Sequence, residues 1–199
     1  MTTRLLLLMF DEVELLDFAG PYEVFTTANR MAARRDGAAP PPFALQTASP
    51  DGRPATARAG LVLQPDAALA QATPADVLLV PGGVVDGLLA DARLLAELRR
   101  RADAARITAS ICTGAFVLAD AGLLHAAECT THWEDASELA RRHPHLRVQP
   151  ERRWVDNGRI VTSAGIAAGI DMSLHLVGRL VDPELARRTA RQLDVPWSG

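Results

Sequence analysis

The sequence predicts an α/β fold: a three-layer sandwich with a mainly parallel central sheet, helices on both faces and a nucleophile elbow. Apolar runs of strand length alternate with longer runs of helical period through residues 1–199, as parallel strands joined by helical crossovers require. A single cysteine, Cys112, stands where one apolar run, Arg106 to Ser110, turns into a helix start at Gly114. Three chemically suggestive positions, Asp17, Gly82-Gly83 and Cys112, each fall after a strand. In open α/β sheets that is the end at which sites form.

Arg4 to Phe10 reads as a buried parallel strand, apolar on both faces. Asp11 to Asp17 reads as a loop. A helix starts near Pro21, a residue suited to a first turn, and runs to about Arg34, turning Val24, Phe25, Ala28 and Met31 inward. Asp36 to Pro42 is loop and Phe43 to Ala48 a second strand. Asp51 to Leu63 is a hairpin or irregular excursion punctuated by Gly52 and Gly60. Pro65 to Ala72 reads as a short helical turn.

Ala75 to Val80 is a third core strand, ending in Pro81-Gly82-Gly83. Leu88 to Ala104 is an amphipathic helix with Leu88, Leu89, Leu94, Leu95 and Leu98 inward and Arg99 to Arg101 outward. The elbow strand and the elbow helix, Gly114 to Ala121, follow. Short strands are expected at Glu128–Thr131, Leu146–Gln149 and Arg152–Val155, with a helix from Glu134 to His143 stopped by Pro144. Asp156-Asn157-Gly158 turns into the strand Arg159–Ser163. Gly169–Val181 is a helix, and Asp182-Pro183-Glu184 caps a last helix to about Asp194. No internal repeat or linker stands out, so residues 1–199 read as one domain.

Composition narrows the function. With 48% hydrophobic and 23% charged residues the chain has the balance of an ordinary globular protein. A net charge of −3 gives no electrostatic case for nucleic acid or an anionic membrane. The apolar run Leu5–Phe10 is far too short to span a bilayer, and no targeting segment is visible. Cys112 and Cys129 make neither a disulfide framework nor a zinc spacing, so no metal is expected and a cytoplasmic location is the default. All 21 Lys+Arg residues are arginine. That excludes a lysine Schiff base, and with it pyridoxal phosphate chemistry, and a P-loop. No cofactor is implied.

Cys112 is the candidate nucleophile. A helix N-terminus aimed at its sulfur would lower the thiol pKa; the alternative is a buried cysteine acting as a small hydrophobe. Asp17 is the candidate acid/base, or else a cap of the Pro21 helix. The backbone N–H groups of Gly82, Gly83 and Thr113 are the candidates for steadying developing negative charge, and the Thr113 hydroxyl is a candidate to orient Asp17 or a water. His132 is expected at the pocket or as a hydrogen-bonded structural residue, Trp133 as pocket wall or dimer contact, and Ile166 as pocket lining or core packing. Cys129 reads as inert core, and Asp171 with His175 as a structural i, i+4 pair.

Leu16-Asp17-Phe18-Ala19-Gly20-Pro21, Val80-Pro81-Gly82-Gly83, Ser110-Ile111-Cys112-Thr113-Gly114, Thr130-Thr131-His132-Trp133 and Thr162-Ser163-Ala164-Gly165, with Gly169-Ile170-Asp171, together resemble the ThiJ/PfpI superfamily. These are small, flavodoxin-like relatives of class I glutamine amidotransferases, and the resemblance covers nearly the whole chain. Protease-type members carry histidine directly after the cysteine; this chain has Thr113. Many members place glutamate near the end of the first strand; this chain has Asp17. Cys-Thr-Gly with Asp-x-x-Gly-Pro and Thr-Thr-His-Trp resembles two subgroups, isonitrile hydratases and the sensor domains of AraC-type regulators. Only Ser198 and Gly199 follow Trp197, which leaves no room for a helix-turn-helix module and favours the enzyme.

The resemblance implies a small-molecule substrate and a homodimer. It implies a hydratase in which Cys112 attacks an isonitrile to give a thioimidate, Asp17 serves as acid and then base, and water releases an N-substituted formamide. The alternatives are a non-enzymatic small-molecule or redox sensor of the same fold, and then a glyoxalase or chaperone-like relative.

Overall fold

The computed structural model describes residues 1–37, 39–125 and 128–197. Of the expected loop Asp36–Pro42, Ala38 lies outside the described residues, as do Ser198 and Gly199.

Strand β1 (Thr3–Leu8) leads into α1 (Leu15–Asp36), followed by β2 (Phe43–Ser49), β3 (Ala55–Thr56), β4 (Val62–Leu63) and β5 (Ala67–Ala68). Next come β6 (Val77–Val80), α2 (Asp86–Leu89), α3 (Ala92–Ala104), β7 (Ile107–Ile111) and α4 (Gly114–Asp120). The last part holds β8 (Glu128–Cys129), α5 (Ala136–Arg142), β9 (Arg147–Val148), β10 (Trp154–Asp156), β11 (Ile160–Ser163), α6 (Ala168–Leu180) and α7 (Pro183–Leu193). The main sheet has seven strands in the order β10-β11-β7-β6-β1-β2-β5. Every pair is parallel except β10–β11 at one edge. Helices α1, α6 and α7 pack together, and α2 packs on both α3 and α4. This is the expected sandwich with helices on both faces.

The central strands explain the order. Leu5–Leu8, Val77–Val80 and Ile107–Ile111 are buried on both faces, as all-apolar parallel strands must be. Strands β1, β6 and β7 lie side by side. Their carboxyl ends therefore bring the chain after Leu8, Val80 and Ile111 to one edge.

The structure corrects several expectations. Helix α1 starts at Leu15, so Asp17 is in its first turn rather than in a loop. Pro21 is interior to the helix, where it leaves the Asp17 carbonyl without an amide donor from that position. The expected single helix from Leu88 is two: Asp91 accepts from the N–H groups of Arg93 and Leu94 and starts α3 afresh. Arg101 is not outward but buried, its guanidinium donating to Ala72 O at 2.6 Å and to Glu97 at 2.9 Å. The segment 65–72 holds the edge strand β5 and a 3-10 turn, Leu69–Gln71. Strands β8 and β9 form a separate two-stranded sheet.

Candidate active site

Cys112 follows directly on β7 and adopts φ 56°, a left-handed conformation uncommon for a side chain of any size. Its surroundings hold it there. The Cys112 N–H donates to Ser163 O and Ala164 O, at 3.2 and 3.3 Å. Its carbonyl accepts from the buried Thr131 hydroxyl at 2.8 Å. Gly114 permits the turn: a Cβ there would lie 2.3 Å from Val80 O and 2.9 Å from Pro81 O.

Asp17 reaches the elbow from the first turn of α1 and is 1% exposed. Its Oδ2 accepts the Gly82 N–H at 3.1 Å. Its Oδ1 is buried and has no hydrogen-bond partner. A carboxylate in this position is short of solvation, and burial pushes the Asp17 pKa from 3.8 to about 7. The Gly82 N–H opposes that shift and the Glu14 charge adds to it, while the Cys112 side chain and the Ile166 N–H favour the charged form. Asp17 caps no helix; Glu14 holds the N-cap position of α1.

The thiol pKa departs from the sequence expectation. Burial pushes Cys112 up to about 12, and the charge of Asp17 adds to it. The N–H groups of Thr113 and Ile166 work in the other direction but are outweighed. The helix that should lower the pKa, α4, has only seven residues, and its end field does not offset desolvation plus a neighbouring carboxylate.

Thr113 also differs. Its Oγ1 lies 2.9 Å from both the N–H and the C=O of Gly83, accepting from one and donating to the other. It therefore ties the elbow to the glycine loop rather than orienting Asp17. The amides of Gly82 and Gly83 are already donating, to Asp17 and Thr113 respectively, and neither stands free to steady an anion.

A cavity of about 240 Å³ opens in front of the sulfur, lined by Cys112, Thr113, Gly83, His132 and Ile166 and by Glu14, Arg58, Glu134 and Asp135. His132 and Ile166 stand in its wall. Trp133 is 69% exposed and does not line it. Ile166 has φ 47°, which helps aim its N–H at the Asp17–Cys112 pair. Gly165 lets His132 close in; a Cβ there would meet the ring Cδ2 at 2.0 Å. Asp171 pairs with Arg153, and His175 with Asp156 at 2.7 Å, so these two are structural but not partners of each other. Cys129 is fully buried, and burial pushes its pKa up to about 11.

Sequence reasoning missed Glu14 and Arg58, which come to the cavity from the start of α1 and from the β3–β4 hairpin. It also missed the Thr131 bond to Cys112. No local pattern announces these, because each depends on long-range packing. Among the described residues no group of three or more His, Cys, Asp or Glu could hold a metal ion, and no helix is long and apolar enough to cross a membrane.

Residues 3–179 match the model of the DJ-1/PfpI family. The chain belongs to that family. It is 35% identical over 189 residues to an isonitrile hydratase of Pseudomonas putida, covering 94% of this chain and 76% of that one. It is 32% identical over 179 residues to the transcriptional regulator GbdR of Pseudomonas aeruginosa, covering 90% of this chain but 47% of the regulator. Among solved structures, a ThiJ/PfpI family protein from Pseudomonas syringae superposes with TM-score 0.82 at 28% identity, covering 98% of this chain and 75% of that one. DJ-1β of Drosophila melanogaster gives TM-score 0.83 at 20% identity, covering 98% of this chain and all of that one, a likeness of fold within the family.

Proposed function

We propose that this DJ-1/PfpI protein is a cysteine-dependent hydratase that adds water to an isonitrile and releases an N-substituted formamide. The observation that carries the reading is the buried Asp17–Cys112 pair: a carboxyl with a pKa near 7 beside a thiol pushed up to about 12. Near neutrality such a pair gives up its first proton and keeps the second, and an isonitrile needs a nucleophile and a proton at the same carbon.

The steps balance on that one proton. The Asp17 carboxylate takes the Cys112 proton as Sγ attacks the terminal carbon and delivers that proton to the same carbon, giving the thioimidate and the Asp17 carboxylate. Asp17 then takes a proton from water as its oxygen bonds to the carbon, and passes the proton to nitrogen. Finally Asp17 takes the hydroxyl proton, the C=O forms, the C–S bond breaks, and formamide leaves with the pair restored. The first step builds no oxyanion, so the engagement of the Gly82 and Gly83 amides does not obstruct it. Thr113 acts by fixing the glycine loop against the elbow.

Support also comes from the similarity to the P. putida isonitrile hydratase over 94% of this chain. The reading includes a cytoplasmic homodimer of single-domain chains; light scattering on the purified protein tests the dimer. The activity itself is tested by incubating wild type with a panel of aliphatic and aryl isonitriles and following formamide by NMR. Formamide from none of them overturns the reading.

The second reading is a small-molecule or redox sensor of the same fold, favoured by the similarity to the longer regulator GbdR. It requires ligand binding or peroxide oxidation of Cys112 without any formamide.

A further inference from the structure

The cavity in front of Cys112 is unevenly charged. Glu14, Glu134 and Asp135 line it with three carboxylates, and Arg58 with one guanidinium. Arg58 is engaged by Glu14, Nη1 to Oε2 at 3.7 Å. Glu134 and Asp135 stand beside His132, whose Nδ1 is 3.9 and 3.5 Å from their oxygens. Among the described residues neither meets an arginine. Behind them lies Asp17, itself a buried carboxyl with one unpartnered oxygen.

These charges reach the reacting groups. Burial is the main reason that the Asp17 and Cys112 pKa values rise, but Glu14 adds to the first and Asp135 to the second. Burial disfavours a charge of either sign, but the carboxylate charges that oppose a negative sulfur favour a positive group on a ligand in the same space. A cleft whose lining carries an excess of one sign of charge concentrates ligands of the other, most strongly at low ionic strength. The volume, about 240 Å³, equals roughly eight water molecules of liquid, so a substituent of ordinary size brings its charge close to these walls.

We propose that this cavity selects its substrate by charge, preferring small isonitriles that carry an ammonium group over neutral ones and turning carboxylate-bearing ones away. That the substrate is an isonitrile rests on the hydratase reading; the charge selection does not.

The experiment has two arms so that the two ideas fail separately. In the first, Cys112 is modified at low ionic strength by the trimethylammonium-ethyl or the sulfonato-ethyl methanethiosulfonate. Each forms a mixed disulfide on Sγ, expelling methanesulfinate as the thiol proton goes to solvent. Rates are read by intact mass and normalised to 2-mercaptoethanol, with Cys112→Ala to exclude Cys129. The cationic reagent is expected to be favoured by about ten-fold or more after normalisation, with the preference shrinking in high salt and in a Glu134→Gln/Asp135→Asn double variant. A normalised ratio near one, or a ratio that salt leaves unchanged, overturns the proposal even if the double variant fails to fold.

In the second arm, kcat/KM is compared at pH 7.5 for 3-(dimethylamino)propyl isonitrile, pentyl isonitrile and isocyanoacetate. The expected order is cation, neutral, anion. Turnover of isocyanoacetate as fast as of the cation overturns charge selection. No turnover of any, with selective labelling intact, overturns the hydratase and leaves the charge selection standing. No turnover and no labelling of Cys112 by either reagent overturns both.

Discussion

The Gly82 N–H donates to Asp17 Oδ2 at 3.1 Å, while the other carboxyl oxygen, Oδ1, is buried without a partner. Burial outweighs the Gly82 amide and the weaker help from Cys112 and the Ile166 N–H, so Asp17 keeps its proton to about pH 7. The acid that the chemistry needs is made by a helix that carries a carboxyl into the core and leaves half of it unsatisfied.

The pH dependence of turnover follows. The competent pair holds one proton, and the doubly protonated form at low pH lacks the Asp17 carboxylate that takes the Cys112 proton as sulfur attacks. With Asp17 near 7 and Cys112 near 12, kcat/KM is expected to rise with pH through about 7 and then stay level over the accessible alkaline range. A profile of initial rates from pH 5 to 9.5 checks this. A rate that falls through pH 7 contradicts the assignment.

The same proton sets the stability of the fold. Asp17 holds it to about 7 when folded, against 3.8 unperturbed. The folded chain therefore binds more protons between those values, and stability falls as pH rises from about 4 to about 7, with the full penalty present above. At about 1.4 kcal/mol per unit the penalty reaches at most roughly 4 kcal/mol, less whatever is shared with Cys112. Asp17→Asn is expected to be more stable than wild type in urea unfolding at pH 8, with the gap closing by pH 4. It is also expected to lose about 10²-fold or more in kcat.

Asp17→Asn tests the thiol as well. The Asp17 charge is the second cause of the raised Cys112 pKa, after burial. Removing it is expected to speed alkylation of Cys112 by iodoacetamide at pH 8, while turnover falls. An enzyme that became both less active and less reactive toward iodoacetamide would point to a damaged elbow instead.

Most of the fold was legible because apolar strand runs and helical periods are local. The elbow was legible for the same reason: Ser110-Ile111-Cys112-Thr113-Gly114 states its own turn. Asp17 was found, but its place in α1 was not, since Pro21 reads as a helix start and here sits in a helix interior. The direction of the Cys112 shift was misjudged because a sequence shows the helix end beside a thiol but not the burial around it. Trp133 read as pocket wall or dimer contact; its 69% exposure sets it on the surface, which no local pattern in the sequence announces.

Thr113 links the elbow to the glycine loop through both backbone groups of Gly83. Thr113→Val leaves that N–H and C=O without the hydroxyl and is expected to cost about 1–3 kcal/mol in stability, with a fall in kcat. Thr113→Ser keeps the hydroxyl and is expected to restore most of both. Urea unfolding and formamide assays on the pair separate the hydroxyl from the methyl group.

Gly114 tests the elbow itself. A Cβ there would stand 2.3 Å from Val80 O, a backbone atom of a central strand that cannot step aside. Gly114→Ala is expected to destabilise the fold by roughly 3 kcal/mol or more. Thermal unfolding checks it.

The central claim is that Cys112 Sγ is the nucleophile of an isonitrile hydration. It is met most directly by incubating para-nitrophenyl isonitrile with wild type and with Cys112→Ala, side by side, and following the formamide spectroscopically. The account expects steady formamide from wild type and none above background from the variant, whose fold circular dichroism shows intact. Formamide from Cys112→Ala at the wild-type rate would contradict it.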